Sequence, residues 1–176
     1  MRNTARSAAG RVWLKAHVMT GVKTNVISSV TISEGDSNDA PYFPKLVRKT
    51  AERFSVSEVS ADKAYLNLGV VENVHATPYI PFKSNSGSSG SAAWERMWHL
   101  YALKRESFLR HYHQRSNVEA TFSAVKRKFG ECVRSRLPAA QFNEVLLKCL
   151  CHNLSMLVHS IHELGIDPEF WDGSLQ

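Results

Sequence analysis

The chain has 176 residues, of which 43% are hydrophobic and 22% are charged. This balance is typical of a globular protein of about one domain and excludes a chain that is disordered throughout. No apolar stretch approaches the roughly 18 residues of a membrane-spanning helix, and the N-terminal residues lack the apolar core of a secretory signal. The cysteines, Cys132, Cys149 and Cys151, cannot form a closed set of disulfides, which predicts a reducing cytoplasm.

The net charge of +6 is concentrated in one segment of the chain. Residues 104–136 contain nine basic and three acidic residues, so the remainder is neutral. A local basic excess indicates a polyanion as partner, most often nucleic acid. The alternative is a solvated helix face that binds nothing.

Strand periodicity dominates the first part of the chain. Leu14, Ala16 and Val18 alternate with other residues over positions 11–19, and positions 24–33 are rich in β-branched side chains. These two segments predict a β-hairpin. The next predicted elements are an amphipathic helix at 40–53, a short strand at 56–61, a short helix at 63–73 and an extended edge segment at 77–82.

The second half of the sequence is predicted to be helical. Residues 84–91, SNSGSSGS, predict a flexible loop within one domain that spans 1–176. An aromatic helix face follows from Trp94 to Phe108, then helices at 115–129 and 139–164, ended by Gly130 and Gly165. The element order predicts an α/β fold, with a small mixed sheet flanked by helices.

Four polar residues are spaced so that a helix would present them on one face. Tyr112, Arg115, Glu119 and Lys126 fall within roughly 60° of each other at about 100° per residue. A carboxylate between two cations and a phenol suits a metal-assisted phosphodiester site, with Arg and Lys holding phosphate oxygens. The alternative is an Arg–Glu pair, four residues apart, on a solvated face.

This Tyr-x2-Arg-x3-Glu-x6-Lys spacing resembles the signature of the DDE transposases of bacterial and archaeal insertion sequences. The residues around it, HYHQRSNVEATF and KRKFG, are similar as well. Ser60-Ala-Asp62-Lys-Ala-Tyr65 resembles the strand that ends in the family's second catalytic aspartate, and RVWLKAH at 11–17 resembles the strand after the first. The resemblance covers roughly residues 6 to 165.

The resemblance implies a ribonuclease-H-like fold that acts on DNA with two divalent metal ions, usually Mg²⁺. It makes Asp62 the second carboxylate and Glu119 the third, both of them catalytic residues and metal ligands. The residues implied to contact DNA near the transposon end are Tyr112, Arg115, Lys126, Arg127 and Lys128. Considered alone, Asp62 has an alternative as the N-cap of the helix that follows it.

One departure from the family pattern matters for activity. The family's first aspartate precedes the strand that begins near Arg11, yet no acidic residue comes before Glu34. Asp36 and Asp39 follow the hairpin, in the wrong place. We therefore expect the C-terminal part of a catalytic domain, truncated at the N-terminus with its first strand missing, unable to cut DNA alone and leaving an unpaired edge at the hairpin.

Three alternatives remain open from the sequence. The chain is an enzyme fragment, a non-catalytic DNA-binding remnant with a regulatory role, or a basic helical interaction module whose carboxylates have no joint role. Family members usually act as dimers on paired ends, so a homodimer is expected. The Cys and His residues of the last helix lack the spacing of structural zinc sites, and we place Cys149 in the core instead.

Overall fold

The computed structural model describes residues 2–7 and 10–165, with side chains from Trp13 onward. The chain begins with a three-stranded antiparallel sheet in the order β1 (Arg2–Ser7), β2 (Gly10–Thr20), β3 (Ile27–Glu34). The predicted hairpin is confirmed, because Val18 of β2 lies opposite Val30 of β3.

Strand β1 corrects the expectation of a missing strand and an unpaired edge. It pairs with β2 from Arg2 opposite Lys15 to Ser7 opposite Gly10, so β2 has a neighbour on both sides. The sequence RNTARS shows no hydrophobic alternation. Edge strands need none, since their backbone hydrogen bonds to the neighbouring strand hold them. None of the residues in β1 is acidic.

The remaining elements follow the predicted order, with small shifts of their ends. They are α1 (Tyr42–Ala51), β4 (Glu58–Ser60), a 3₁₀ turn (Lys63–Tyr65), α2 (Leu68–Glu72), β5 (Thr77–Tyr79), α3 (Ala92–Leu103), α4 (Arg105–Tyr112), a 3₁₀ turn (His113–Arg115), α5 (Ser116–Phe129) and α6 (Pro138–Leu164). The aromatic face that we assigned to one helix is divided between α3 and α4, because Lys104 leaves the helical conformation (φ −127°, ψ 49°).

The sheet differs from the single mixed sheet that the sequence led us to expect. Strands β4 and β5 pair in parallel, with Val59 opposite Pro78, and form a second sheet among the described residues. Both strands have three residues. Pro78 supplies no N–H to the ladder, which limits its extension. The fold is therefore α/β, with two small sheets surrounded by helices.

The hydrophobic core has a main cluster and two smaller ones. The main cluster lies between α1, the β4–β5 sheet and α2 to α4, and its most buried members are Val71, Ile80, Phe82, Met97 and Phe108. The smaller clusters join the three-stranded sheet to α5 and α6, with Leu14 and Ala16 against Val145, and Ile27 against Val125 and Cys149. The core position predicted for Cys149 is confirmed.

Helix α6 is attached to β3 by polar contacts as well as by packing. The Asn153 side chain accepts a hydrogen bond from the Ile27 backbone N–H at 2.8 Å and donates one to the Ile27 carbonyl at 2.9 Å. His152 lies 3.0 Å from the Asn25 carbonyl. Among the described residues, no helix has both the length and the hydropathy needed to cross a membrane.

Candidate functional site

Asp62 lies directly after β4, at a point fixed by contacts to the end of α4. The Ser60 hydroxyl donates to the His111 carbonyl at 2.9 Å, and His111 Nδ1 lies 2.7 Å from the Glu58 carboxylate. Asp62 does occupy the N-cap position of the 3₁₀ turn that follows it, but its side chain makes no capping hydrogen bond. Its carboxylate is 55% exposed and faces Arg115.

Arg115 joins the two carboxylates that the sequence predicted to lie together. Its Nη1 is 2.8 Å from Glu119 Oε1 and 3.6 Å from Asp62 Oδ2. The two oxygens are therefore no farther apart than the sum of these distances, about 6.4 Å. The predicted juxtaposition of Asp62 and Glu119 is confirmed. The Arg115–Glu119 pair, four residues apart on one helix, is also present. That pair alone does not account for Asp62, which belongs to another part of the chain and also lies near Arg115.

The charge on Arg115 is held by its neighbours. Burial acts to lower its pKa, but Tyr112, Glu119 and Asp62 outweigh this and raise the pKa above its ordinary value. Its guanidinium carbon lies 5.5 Å from the centre of the Tyr112 ring. Among the described residues, Asp62 and Glu119 form no ion pair other than those with Arg115.

A cavity of about 420 Å³ opens beside this charged triad. It runs between β2, α1, the end of β4 and the start of α5. Its polar lining includes Lys15, His17, Asp39, Asp62, Tyr65, Arg115 and Glu119, and its apolar lining includes Phe43, Val59 and Phe122. A site with one apolar wall and converging polar groups suits a bound ligand.

The sequence analysis assigned no role to Lys15, His17 and Tyr65, which line this cavity. Lys15 Nζ lies 3.0 Å from Asp39. His17 is buried, with Nε2 2.9 Å from the Ser33 hydroxyl and Nδ1 3.4 Å from the Tyr65 hydroxyl. Period-two spacing places Lys15 and His17 on one face of a strand. This spacing could have identified Lys15 and His17 as neighbours on β2. It does not indicate that α1 covers that face of the strand.

Burial dominates the ionisation of this inner group. It lowers the pKa of His17 below its ordinary value although Asp39 acts to raise it. Burial, followed by the nearby charges of Asp39 and Asp62, raises the pKa of Tyr65 to about 12. At neutral pH the imidazole and the phenol are therefore uncharged, and the net charge of the cavity depends on its carboxylates, Lys15 and Arg115.

The other residues predicted to contact DNA lie along the same helical segment. Tyr112, at the end of α4, is partly buried against the main core. Lys126 is half-buried, and Arg127 and Lys128 are exposed in the last turn of α5. Lys126 is two helical turns from Glu119, about 10 Å along the axis. The last turn of α5 is therefore basic, about two helical turns from Glu119.

The site thus brings two acidic side chains together at the start of a helix that ends in basic residues. The family model for the transposase DDE domain matches residues 2–154. The chain therefore belongs to the DDE transposase family, as its sequence signature predicted. No curated protein and no solved structure gives a match.

DDE transposases generally use divalent metal ions, and the residues present fit such an ion in part. Asp62 and Glu119 offer the hard carboxylate oxygens that Mg²⁺ prefers. Within residues 2–7 and 10–165, however, no group of three or more acidic, His or Cys side chains could hold a metal. The Arg115 guanidinium lies against both of these carboxylates.

Proposed function

We propose that the chain carries two of the catalytic carboxylates of an insertion-sequence transposase, an enzyme that cleaves and transfers DNA strands in the cytoplasm. The observation that carries this proposal is the meeting of Asp62 and Glu119 at Arg115. These residues come from separate elements and match the family's motif positions. Arg115 and Lys126 hold phosphate oxygens of the DNA, assisted by Arg127 and Lys128, while Tyr112 supports Arg115 from below.

In this proposal Asp62 and Glu119 hold Mg²⁺. The bound ion supplies charge stabilisation at the phosphodiester and activates the attacking oxygen. The side chains of this chain orient the phosphate and provide the oxygen ligands. Exposure of both carboxylates, at 55% and 62%, leaves them open to an ion and to DNA.

We also propose that the chain as it stands does not cut DNA. Two-metal chemistry needs carboxylates on both sides of the ion pair, and the described residues bring only two together. The test is nicking of supercoiled plasmid DNA with and without Mg²⁺. We expect none from the chain alone, and Mg²⁺-dependent nicking once an upstream segment that carries an aspartate is added. Asp62→Asn or Glu119→Gln should abolish that restored activity.

Robust nicking by the unextended chain would show that the first carboxylate has been misplaced. Asp39 is then the residue to change, because it lines the cavity whereas Asp36 does not. The alternative function, a non-catalytic DNA-binding remnant, predicts that the extended chain also binds DNA but never nicks it.

We propose a homodimer as the working form, with α6 as its interface. The exposed leucines of α6 recur at alternating intervals of three and four residues, as a coiled-coil seam requires. Its positions are Leu147, Leu150, Leu154, Leu157, Ile161 and Leu164. The five leucines are 49–70% exposed. The flanking positions, Leu146, Cys151, Asn153, Val158 and Ser160, are uncharged, so two copies would meet without like-charge repulsion.

The size of the seam is also compatible with a dimer. Three heptads of half-exposed leucines bury several hundred Å² per copy, which approaches the roughly 800 Å² per partner of a standard interface. Sedimentation analysis should show a dimer that Leu150→Glu/Leu157→Glu converts to a monomer. The control Leu103→Glu/Leu137→Glu changes two exposed leucines elsewhere and should leave the dimer intact. A wild-type chain that is monomeric at every concentration would rule the interface out.

A further inference from the structure

We propose that Arg115 is an exchangeable counter-ion: in the DNA-free chain it occupies the cation position between Asp62 and Glu119, and it leaves that position for a DNA phosphate when a divalent ion binds. This inference rests on the proposed function. It assigns Arg115 two alternate partners, where the family resemblance assigns only DNA.

The geometry shows why the guanidinium and an ion exclude each other. One nitrogen, Nη1, contacts both carboxylates, at 2.8 Å from Glu119 and 3.6 Å from Asp62. A Mg²⁺ ion bound to both would need each oxygen at about 2.0–2.1 Å. The two oxygens would then be within about 4.2 Å of each other, so the ion and Nη1 would compete for the same carboxylate oxygens, and two cations held that close repel each other strongly.

The electrostatics favour a cation between the Asp62 and Glu119 carboxylates. Two carboxylates within about 6.4 Å of each other destabilise one another unless a cation lies between them. In the described part of the chain, Arg115 is the only cation within ion-pair distance of either. It supplies a charge of +1, and a divalent ion supplies +2, so the metal displaces the arginine rather than adding to it.

The surroundings of Arg115 allow the exchange. The residue lies at the junction of the second 3₁₀ turn and α5, its side chain is 27% exposed, and its guanidinium lies above the Tyr112 ring. The aromatic face supports the guanidinium without fixing its hydrogen-bond partners. A released guanidinium can bind a phosphate through two parallel N–H donors, and Lys126 lies farther along the same helix.

Exchange couples the two ligands of the site. A phosphate that withdraws Arg115 removes the competitor of the metal, so DNA raises metal affinity, and metal raises DNA affinity by the same factor. If Arg115 bound only DNA and did not compete with the metal, metal binding and DNA binding would not be coupled through it. Its removal would weaken DNA binding and leave metal affinity unchanged or lower.

The test is Mn²⁺ binding to the DNA-free chain, followed by electron paramagnetic resonance. We expect Arg115→Gln, which keeps the size of the side chain, to bind Mn²⁺ about fivefold more tightly, the scale of one part-exposed ion pair. The matched control Lys126→Gln removes the same charge from the same signature, away from the carboxylates, and should leave Mn²⁺ affinity unchanged. Glu119→Gln should abolish binding.

A second arm adds a short DNA duplex. DNA should raise Mn²⁺ affinity in the wild-type chain and fail to do so in Arg115→Gln. Equal Mn²⁺ affinity in the wild type and Arg115→Gln, with binding still dependent on Glu119, would overturn the exchange and leave the proposed function standing. Absence of Mn²⁺ binding in every variant, with and without DNA, would remove both. Circular dichroism verifies that each variant is folded.

Discussion

Glu144 organises the loop that follows the signature helix. It accepts hydrogen bonds from the backbone N–H groups of Arg134 and Ser135 and from the Ser135 hydroxyl, at 2.8–3.0 Å, and it lies 3.4 Å from Lys148. Burial acts to raise the pKa of Glu144, but these donors and Lys148 lower it to about 2. Together with Lys148, which donates to the Gly130 and Cys132 carbonyls, Glu144 holds the segment between α5 and α6 in place.

Glu144→Gln should destabilise the fold in a pH-dependent way. Because the folded pKa is about 2 and the ordinary value is 4.5, the ionised carboxylate contributes on the order of 2–3 kcal/mol above pH 4.5. This contribution falls as the pH drops from 4.5 toward 2. Urea denaturation from pH 7 to pH 3 should show the wild-type advantage shrinking. Glu163→Gln, in an exposed pair with His159, should change stability little at any pH.

At this scale the sequence predicted the meeting of Asp62 and Glu119 but not the residues around them. Asp62 and Glu119 were singled out because each lies in a segment that resembles a motif of the family. His17 and Tyr65 were missed because their contact joins β2 to a turn 48 positions away, and local patterns carry no information on such pairs. Glu144 was missed for a similar reason, since its backbone donors have no sequence signature.

Helix α6 combines a buried face with an exposed apolar face. One side packs on the three-stranded sheet, and the other presents the leucine seam. Its predicted bounds, 139–164, agree with Pro138–Leu164 to within one residue. The apolar side chains of α6 are divided between its two faces: Val145 and Cys149 are buried, whereas Leu150 is 53% exposed. Periodicity locates apolar side chains, but it does not tell which neighbour covers them.

Asn153→Ala should weaken the attachment of α6 to β3. The substitution leaves the N–H and the carbonyl of Ile27 without their side-chain partner. Loss of these two hydrogen bonds should lower the free energy of unfolding by about 2–3 kcal/mol. Asn143→Ala is the control, because Asn143 is exposed on the same helix. Equal urea midpoints for the two variants would contradict this role for Asn153.

For the molecule as a whole, the distribution of charge determines which surface binds DNA in the function that we propose. The excess of positive charge lies in residues 104–136, and the rest of the chain is neutral. The order of the elements was predictable from the sequence. The separation into two sheets and the presence of β1 were not, because pairing between short or polar strands depends on backbone contacts that side-chain patterns do not record.

DNA affinity should decrease steeply with salt, and the slope should depend on the signature segment. Arg127→Ala/Lys128→Ala removes two exposed charges, so the slope of log K against log salt should become shallower by about 2. Arg48→Ala/Lys49→Ala removes two exposed charges from α1 and should leave the slope nearly unchanged. Fluorescence anisotropy at several salt concentrations measures both. Equal slopes for the two variants would mean that DNA binds without regard to the signature helix.

The hydrogen bonds between Asn153 and Ile27 can form only late in the synthesis of the chain. These two residues are 126 positions apart, and ribosomes add roughly 5–20 residues per second. Strand β3 therefore waits on the order of ten seconds for the helix that completes its hydrogen bonding. During that interval the hairpin of the nascent chain exposes the apolar face that α5 and α6 later cover. We expect chaperones that bind extended apolar segments to bind the nascent chain mainly in this interval, before α6 leaves the ribosome.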